Sequence, residues 1–122
     1  MRSLALALGG ALALGGHAAA CELPPGKRLE SARVSLSYRT VPAKIAPGQH
    51  FEVFFGVCPS VQGSMKVDAH MPEHRHGMNY RPTVSPASGG YRSEGWLFHM
   101  PGRWEFVFEI GAERLTDSVL VE

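Results

Sequence analysis

The chain has 122 residues, with 12 Lys plus Arg, 11 Asp plus Glu and 2 Cys. That length accommodates one small domain and excludes a multidomain enzyme. The near-even charge offers no electrostatic basis for binding nucleic acid or an anionic lipid surface.

Met1 to Ala20 reads as a secretory signal: Arg2, an apolar run from Leu4 to Leu14, and small residues ending in Ala18-Ala19-Ala20. The run is interrupted by Gly9-Gly10 and falls well short of the roughly 20 residues needed to cross a bilayer. The expectation is a periplasmic or secreted protein without a lasting transmembrane span, whose working domain is residues 21–122. Loss of Arg2 with the signal leaves basic and acidic side chains equal in number.

Cys21 and Cys58 both belong to that domain, and an oxidising compartment favours a Cys21–Cys58 disulfide tying the start of the domain to its body. The alternative is lipid attachment at Cys21. Ala18 stands three residues before it where lipid-modified signals carry a bulky aliphatic residue, and lipidation would leave Cys58 unpaired. Leu23 to Gly26, with Pro24-Pro25, reads as an extended arm pinned by Cys21.

Beyond the arm, alternation of apolar and polar residues dominates and no segment sustains a helical period. Val34, Leu36 and Tyr38 alternate with Ser35, Ser37 and Arg39 in a strand closed by Pro42 and Pro47-Gly48. Phe51, Val53, Phe55 and Val57 share one face of the next, which Cys58-Pro59 stops. After a turn around Gln62-Gly63, Met65, Val67, Ala69 and Met71 face one way and Lys66, Asp68 and His70 the other, up to Pro72. A strand is predicted over Met78 to Val84, then a turn over Pro86 to Gly90 and a strand from Tyr91 to Phe98. Within it Trp96 and Phe98 point opposite to Leu97 and His99. After Pro101-Gly102, Trp104, Phe106, Phe108 and Ile110 alternate with Arg103, Glu105 and Glu109, and a turn at Gly111-Ala112 leads to a last strand from Arg114 to Val121. Seven or so short strands in this length predict an all-β, immunoglobulin-like antiparallel β-sandwich.

The segment His70-Met71-Pro72-Glu73-His74-Arg75-His76-Gly77-Met78 gathers three histidines and two methionines in nine residues. If His74 to Met78 is extended, the side chains of His74, His76 and Met78 project from one side and two imidazoles and a thioether converge. Thioether sulfur suits Cu(I) and imidazole suits both copper states, so copper is the ion this set favours. Zinc ranks second: Glu73 supplies a carboxylate, but no Cys pair completes a four-ligand structural site. A further copper ligand is available from Met71 or from the second His-Met pair, His99-Met100. The plainer reading stands beside this one: Met65, Met71 and Met100 as core filler, His70 and His99 as ordinary histidines, and a loop that is merely His-rich. Trp96 and Trp104 read as core residues between the sheets.

Nothing in the chain points to catalysis. His50 and Glu52 share a strand with no serine nucleophile in an elbow, no G-x-S-x-G, P-loop or C-x-x-C occurs, and the carboxylates are spread without an acid–base pair.

The run Met71-Pro72-Glu73-His74-Arg75-His76-Gly77-Met78, followed by Gly90-Tyr91 and by Phe98-His99-Met100-Pro101-Gly102-Arg103-Trp104-Glu105, resembles the YtkA-like and FixH-like periplasmic domains. The likeness covers about half of the domain. It implies a small exported or membrane-tethered immunoglobulin-like domain of a group associated with copper handling and cytochrome oxidase assembly, so a periplasmic or membrane cuproprotein is the implied partner. Carried over, it supports His74, His76 and Met78 as copper side chains and Trp104 as a core residue. The FixH-like members keep an N-terminal membrane anchor, where this chain has a short apolar run and a cleavage-like site. The sequence also lacks the upstream partners of the H-x-M copper chaperones, and Cys21 stands where copper-resistance sandwich carriers begin with histidine. The reading is a metal-binding, non-catalytic carrier or buffer; the alternative is a sandwich that recognises a protein partner without metal.

Overall fold

The structure, a computed structural model, describes residues 9–10, 21–60 and 63–122. Apart from Gly9 and Gly10, the expected leader lies outside the described residues, as does Gln62 of the predicted turn. The described chain has nine strands: β1 (Lys27–Glu30), β2 (Ser35–Val41), β3 (His50–Cys58), β4 (Met65–Met71), β5 (His76–Gly77), β6 (Thr83–Ala87), β7 (Gly90–Leu97), β8 (Gly102–Ile110) and β9 (Glu113–Val121).

They form two antiparallel sheets, β1-β2-β3-β7-β6 and β5-β4-β8-β9. With β1 set aside, β2-β3-β7-β6 follows the A-B-E-D order and β5-β4-β8-β9 the C′-C-F-G order of the immunoglobulin fold. Among the described residues, no helix is long and apolar enough to cross a membrane.

The alternation places the core as expected. Leu36 and Tyr38 of β2, Phe51, Val53 and Phe55 of β3, Val67, Ala69 and Met71 of β4, and Trp104, Phe106, Phe108 and Ile110 of β8 are all buried. Trp96 and Phe98 are buried with them, and the Trp96 indole N–H donates to Ser93 Oγ at 2.8 Å, which removes the cost of enclosing it.

Three elements depart from the sequence reading. β1 had no alternation to announce it. The strand expected over Met78 to Val84 starts at Thr83 and runs through Pro86 to Ala87, which Pro86 tolerates because β6 is an edge strand. The extended run expected from His74 to Met78 is broken: Pro72 ends β4, residues 72–75 turn, and Arg75 takes φ 54°, so that only His76–Gly77 pairs as β5. The His74 and Arg75 N–H groups both donate to the Met71 carbonyl, at 3.1 and 2.9 Å, which fixes that turn.

Cys21 and Cys58 form a disulfide, with Cα atoms 5.7 Å apart and a sequence separation of 37. The arm that follows Cys21 lies across the outer face of the first sheet. Ser37 Oγ donates to the Pro24 carbonyl at 2.6 Å, and Pro24 packs where a Cβ on Gly56 would sit, so glycine at 56 is what lets the arm lie flat. In the chain-entropy account, closing a loop of this size stabilises the fold by about 3–4 kcal/mol. Thermal unfolding with and without reductant should differ by a loss of that size; an unchanged midpoint would show that the bond adds nothing.

On the inner side of the same strands the two sheets are clasped. Tyr38 of β2 donates its phenol to Asp117 of β9, and Lys27 of β1 pairs with the same carboxylate at 2.8 Å. Burial, and then the hydrogen bond to Asp117, push the Tyr38 phenol well above its ordinary pKa. A group whose pKa is raised on folding contributes stability that is complete below the unfolded value, near 10 for tyrosine, and is lost as pH rises past it. Stability should therefore fall with pH above about 10, and Tyr38→Phe should flatten that fall in denaturant titrations across pH 9–12; an identical alkaline slope in the variant would refute the assignment.

Candidate metal centre

The β4–β8 register brings the metal-ligating residue types to one end of the sandwich. His70 pairs with Glu105 across β4 and β8, and Met71 pairs with His76 across β4 and β5. One step beyond the His70–Glu105 pair lies Trp104, which is itself opposite Val119 of β9. His76, Met71 and Trp104 thus occupy one row on the inner face. His70, one residue off that row, faces the other way, and its Nε2 lies 3.8 Å from a Glu105 carboxylate oxygen.

Both connections at this end carry histidine. The turn from β4 to β5 presents His74 and leads into His76 of β5, and residues 98–101, joining β7 to β8, present His99. The rings form a chain: His74 and His76 have centroids 5.8 Å apart, and His76 and His99 have centroids 5.1 Å apart. His74 and His99 are exposed and His76 is half-buried.

The floor is Trp104, fully buried and stacked on Phe98 at 4.4 Å with planes 7° apart. His76 and His99 stand nearly upright to the indole, at 5.8 and 5.4 Å with interplanar angles of 69° and 81°. The indole N–H donates to the Met100 carbonyl at 3.0 Å, which anchors the connection bearing His99.

The spacing carries chemical meaning. An ion about 2.0–2.1 Å from an imidazole nitrogen lies about 3.2 Å from the ring centre, so two imidazoles sharing it at a tetrahedral angle have centres about 5.2 Å apart. His76 and His99 have that separation; for His74 and His76 the same construction opens the angle to about 130°. His76 Nδ1 lies 3.1 Å from the Gly77 carbonyl oxygen. A carbonyl only accepts, so Nδ1 carries the proton and Nε2 keeps the lone pair that a metal needs.

Met71 is fully buried, and its methyl group occupies the space where a Cβ on Gly102 would stand. Glycine at 102, with φ 131°, therefore opens the start of β8 to that thioether. Met78 and Met100 are half-buried and pack against the core. Glu73, the carboxylate that a zinc site would recruit, is bonded to Arg103, whose Nε donates at 3.1 Å. Among the described residues, no three His, Cys, Asp or Glu side chains form a group able to hold an ion.

Compared with protein-family models, with curated proteins and with solved structures, the chain finds no match. The resemblance to the YtkA-like and FixH-like domains therefore rests on its motifs alone.

Two larger clefts among the described residues lie elsewhere. One of about 410 Å³ lies between β4 and β6, lined by Lys66, Asp68 and Arg81 among others. The other, about 480 Å³, is lined by His50, Glu52 and Glu94. In that second region Arg92 bridges Glu52 and Glu94 and holds the Glu52 carboxyl below its usual range, while His50 packs on the exposed Tyr80 ring at 5.4 Å. These are surface ion pairs and a ring contact. Two residues important to the candidate centre escaped the sequence reading as members of it: Trp104, read there as core, and Gly102, read as a turn. The F-H-M-P-G-x-W spacing held both.

Proposed function

We propose that this protein is an exported copper-binding carrier or buffer, without catalytic activity, whose centre is built on His76 and His99 with the Met71 thioether beneath them. The observation that carries this reading is the 5.1 Å separation of the two rings, beside a methionine directly opposite His76 in the β4–β5 pair. Cβ atoms of directly opposed residues are about 4.5–5.5 Å apart, within reach of a long thioether side chain. Two imidazoles and a thioether make a soft donor set, which favours Cu(I) over Zn(II) and over oxygen-seeking ions. Engagement of Glu73 by Arg103 supports the same preference, since it withdraws the carboxylate that shares the turn with His74.

A carrier needs a site that a partner can reach. The exposure of His74 and His99 at the end of the sandwich suits ion exchange with a periplasmic or membrane cuproprotein better than the enclosure of an organic substrate. His74 and Met78 flank the centre, and the leader expected at residues 1–20 would deliver the protein to a compartment compatible with the Cys21–Cys58 bond.

Titration of the purified protein with Cu(I), Cu(II) and Zn(II) against competing chelators tests the reading. One equivalent of Cu(I) should bind most tightly, and Met71→Leu should weaken Cu(I) about tenfold or more. That swap conserves volume and costs under about 1.5 kcal/mol of stability, so the fold persists. No copper uptake, or uptake unchanged in a His76→Ala/His99→Ala variant, would overturn it.

A further inference from the structure

We propose that His76 passes a bound ion between two overlapping positions, an inner one shared with His99 against Trp104 and an outer one shared with His74 at the surface. This rests on the copper reading above and adds a division of labour: His99 retains the ion, and His74 sets the rate at which it enters and leaves.

Three observations lead here. The His74–His76 and His76–His99 rings form consecutive pairs at 5.8 and 5.1 Å, yet the three imidazoles do not close into one group that could hold an ion. His76 is common to both pairs, and its Nδ1 is committed to the Gly77 carbonyl, so a single atom, Nε2, must serve both positions. The two positions also differ in surroundings. The inner one is backed by the buried indole of Trp104, which contacts His76 and His99 at 5.8 and 5.4 Å; the outer one ends on His74, exposed in the turn fixed by the Met71 carbonyl.

The exchange conserves charge and protons. The bond from the ion to His76 Nε2 persists throughout, the bond to a neutral His74 imidazole breaks, and a bond to a neutral His99 imidazole forms. No oxidant or reductant takes part. An entering ion is met first by the exposed ring, and a departing one is handed to an acceptor from it. A residue that lowers the barrier without holding the final state changes both rates together and leaves their ratio nearly untouched.

The test compares His74→Ala with His99→Ala in the full chain, using Cu(I) and the chromogenic chelator bicinchoninate as acceptor. For His74→Ala the equilibrium affinity should stay within about threefold of the parent while transfer to the chelator slows about tenfold. For His99→Ala the affinity should fall about tenfold or more. Quenching of tryptophan emission by bound copper should survive His74→Ala and be lost in His99→Ala. If His74→Ala weakens equilibrium binding as much as His99→Ala with no separate effect on rate, the three rings act as one site and this proposal fails while the copper reading stands. A parent protein that binds no copper overturns both.

Discussion

Replacing His76 by alanine should lower the affinity for copper by more than about 100-fold, a larger effect than any other single substitution in the chain. His76 is the ring common to both imidazole pairs, lies opposite Met71, and has its nitrogens assigned by the bond to Gly77. Its removal therefore takes away the one donor for which neither neighbour can substitute. Stability should change little, because the side chain is half-buried at the end of a two-residue edge strand. His70→Ala is the matched control. His70 is six residues away in sequence and also a β4–β5 paired residue, yet it faces Glu105 on the other side of the sheet, so copper affinity should be unchanged. Equal losses from both variants, measured by chelator competition, would show that the histidines act through bulk charge or composition rather than through this geometry.

Trp104→Ala should produce the largest loss of stability at this end of the sandwich. Truncating a fully buried large aromatic costs about 3–5 kcal/mol through lost burial and the cavity left behind. Here the cavity would open between Phe98, stacked on the indole at 4.4 Å, and Phe106 and Met71 in the core, and the Met100 carbonyl would lose its donor. Both imidazoles of the inner pair would lose the ring they stand on, so copper binding should weaken in the same variant. Trp104→Phe separates the two consequences. It keeps an aromatic ring but no N–H, leaving the carbonyl unpaired at a cost of about 1–3 kcal/mol. Chemical denaturation read alongside copper titration should find Trp104→Ala much less stable than Trp104→Phe. A Trp104→Ala protein as stable as the parent would contradict the packing described.

Much of the sandwich was legible because period-two alternation is a local property. Val34-Leu36-Tyr38, Phe51-Val53-Phe55 and Trp104-Phe106-Phe108-Ile110 write their buried faces directly into the chain, and Pro or Gly marks most of their ends. β1 was not legible. Lys27–Glu30 has a single apolar residue, Leu29, which packs against the core; its pairing with β2 is supported by the Cys21–Cys58 bond and the Lys27–Asp117 pair, and none of these leaves a periodic trace. The centre was legible in composition and less so in geometry. His74, His76 and Met78 share a parity only along an extended backbone, and the turn at 72–75 breaks it at Arg75, which carries no glycine-like signal for its positive φ. Conversely, His99 is exposed, but it lies in the connection after β7 rather than in the strand, and its ring meets His76 and Trp104, an approach that strand parity does not give. That approach is set by the β4–β8 register, which lays the connection after β7 beside the turn after β4, and a register between distant strands is not encoded in either segment alone.

The copper K-edge X-ray absorption spectrum of the protein loaded with one equivalent of Cu(I) reads the ligands of the centre directly. Its first shell should consist of two imidazole nitrogens, with the outer-shell pattern of histidine rings, and one sulfur scatterer that disappears in Met71→Leu. A shell of nitrogen and oxygen alone, a sulfur signal unaffected by Met71→Leu, or failure of the protein to retain copper through desalting would contradict this ligand set.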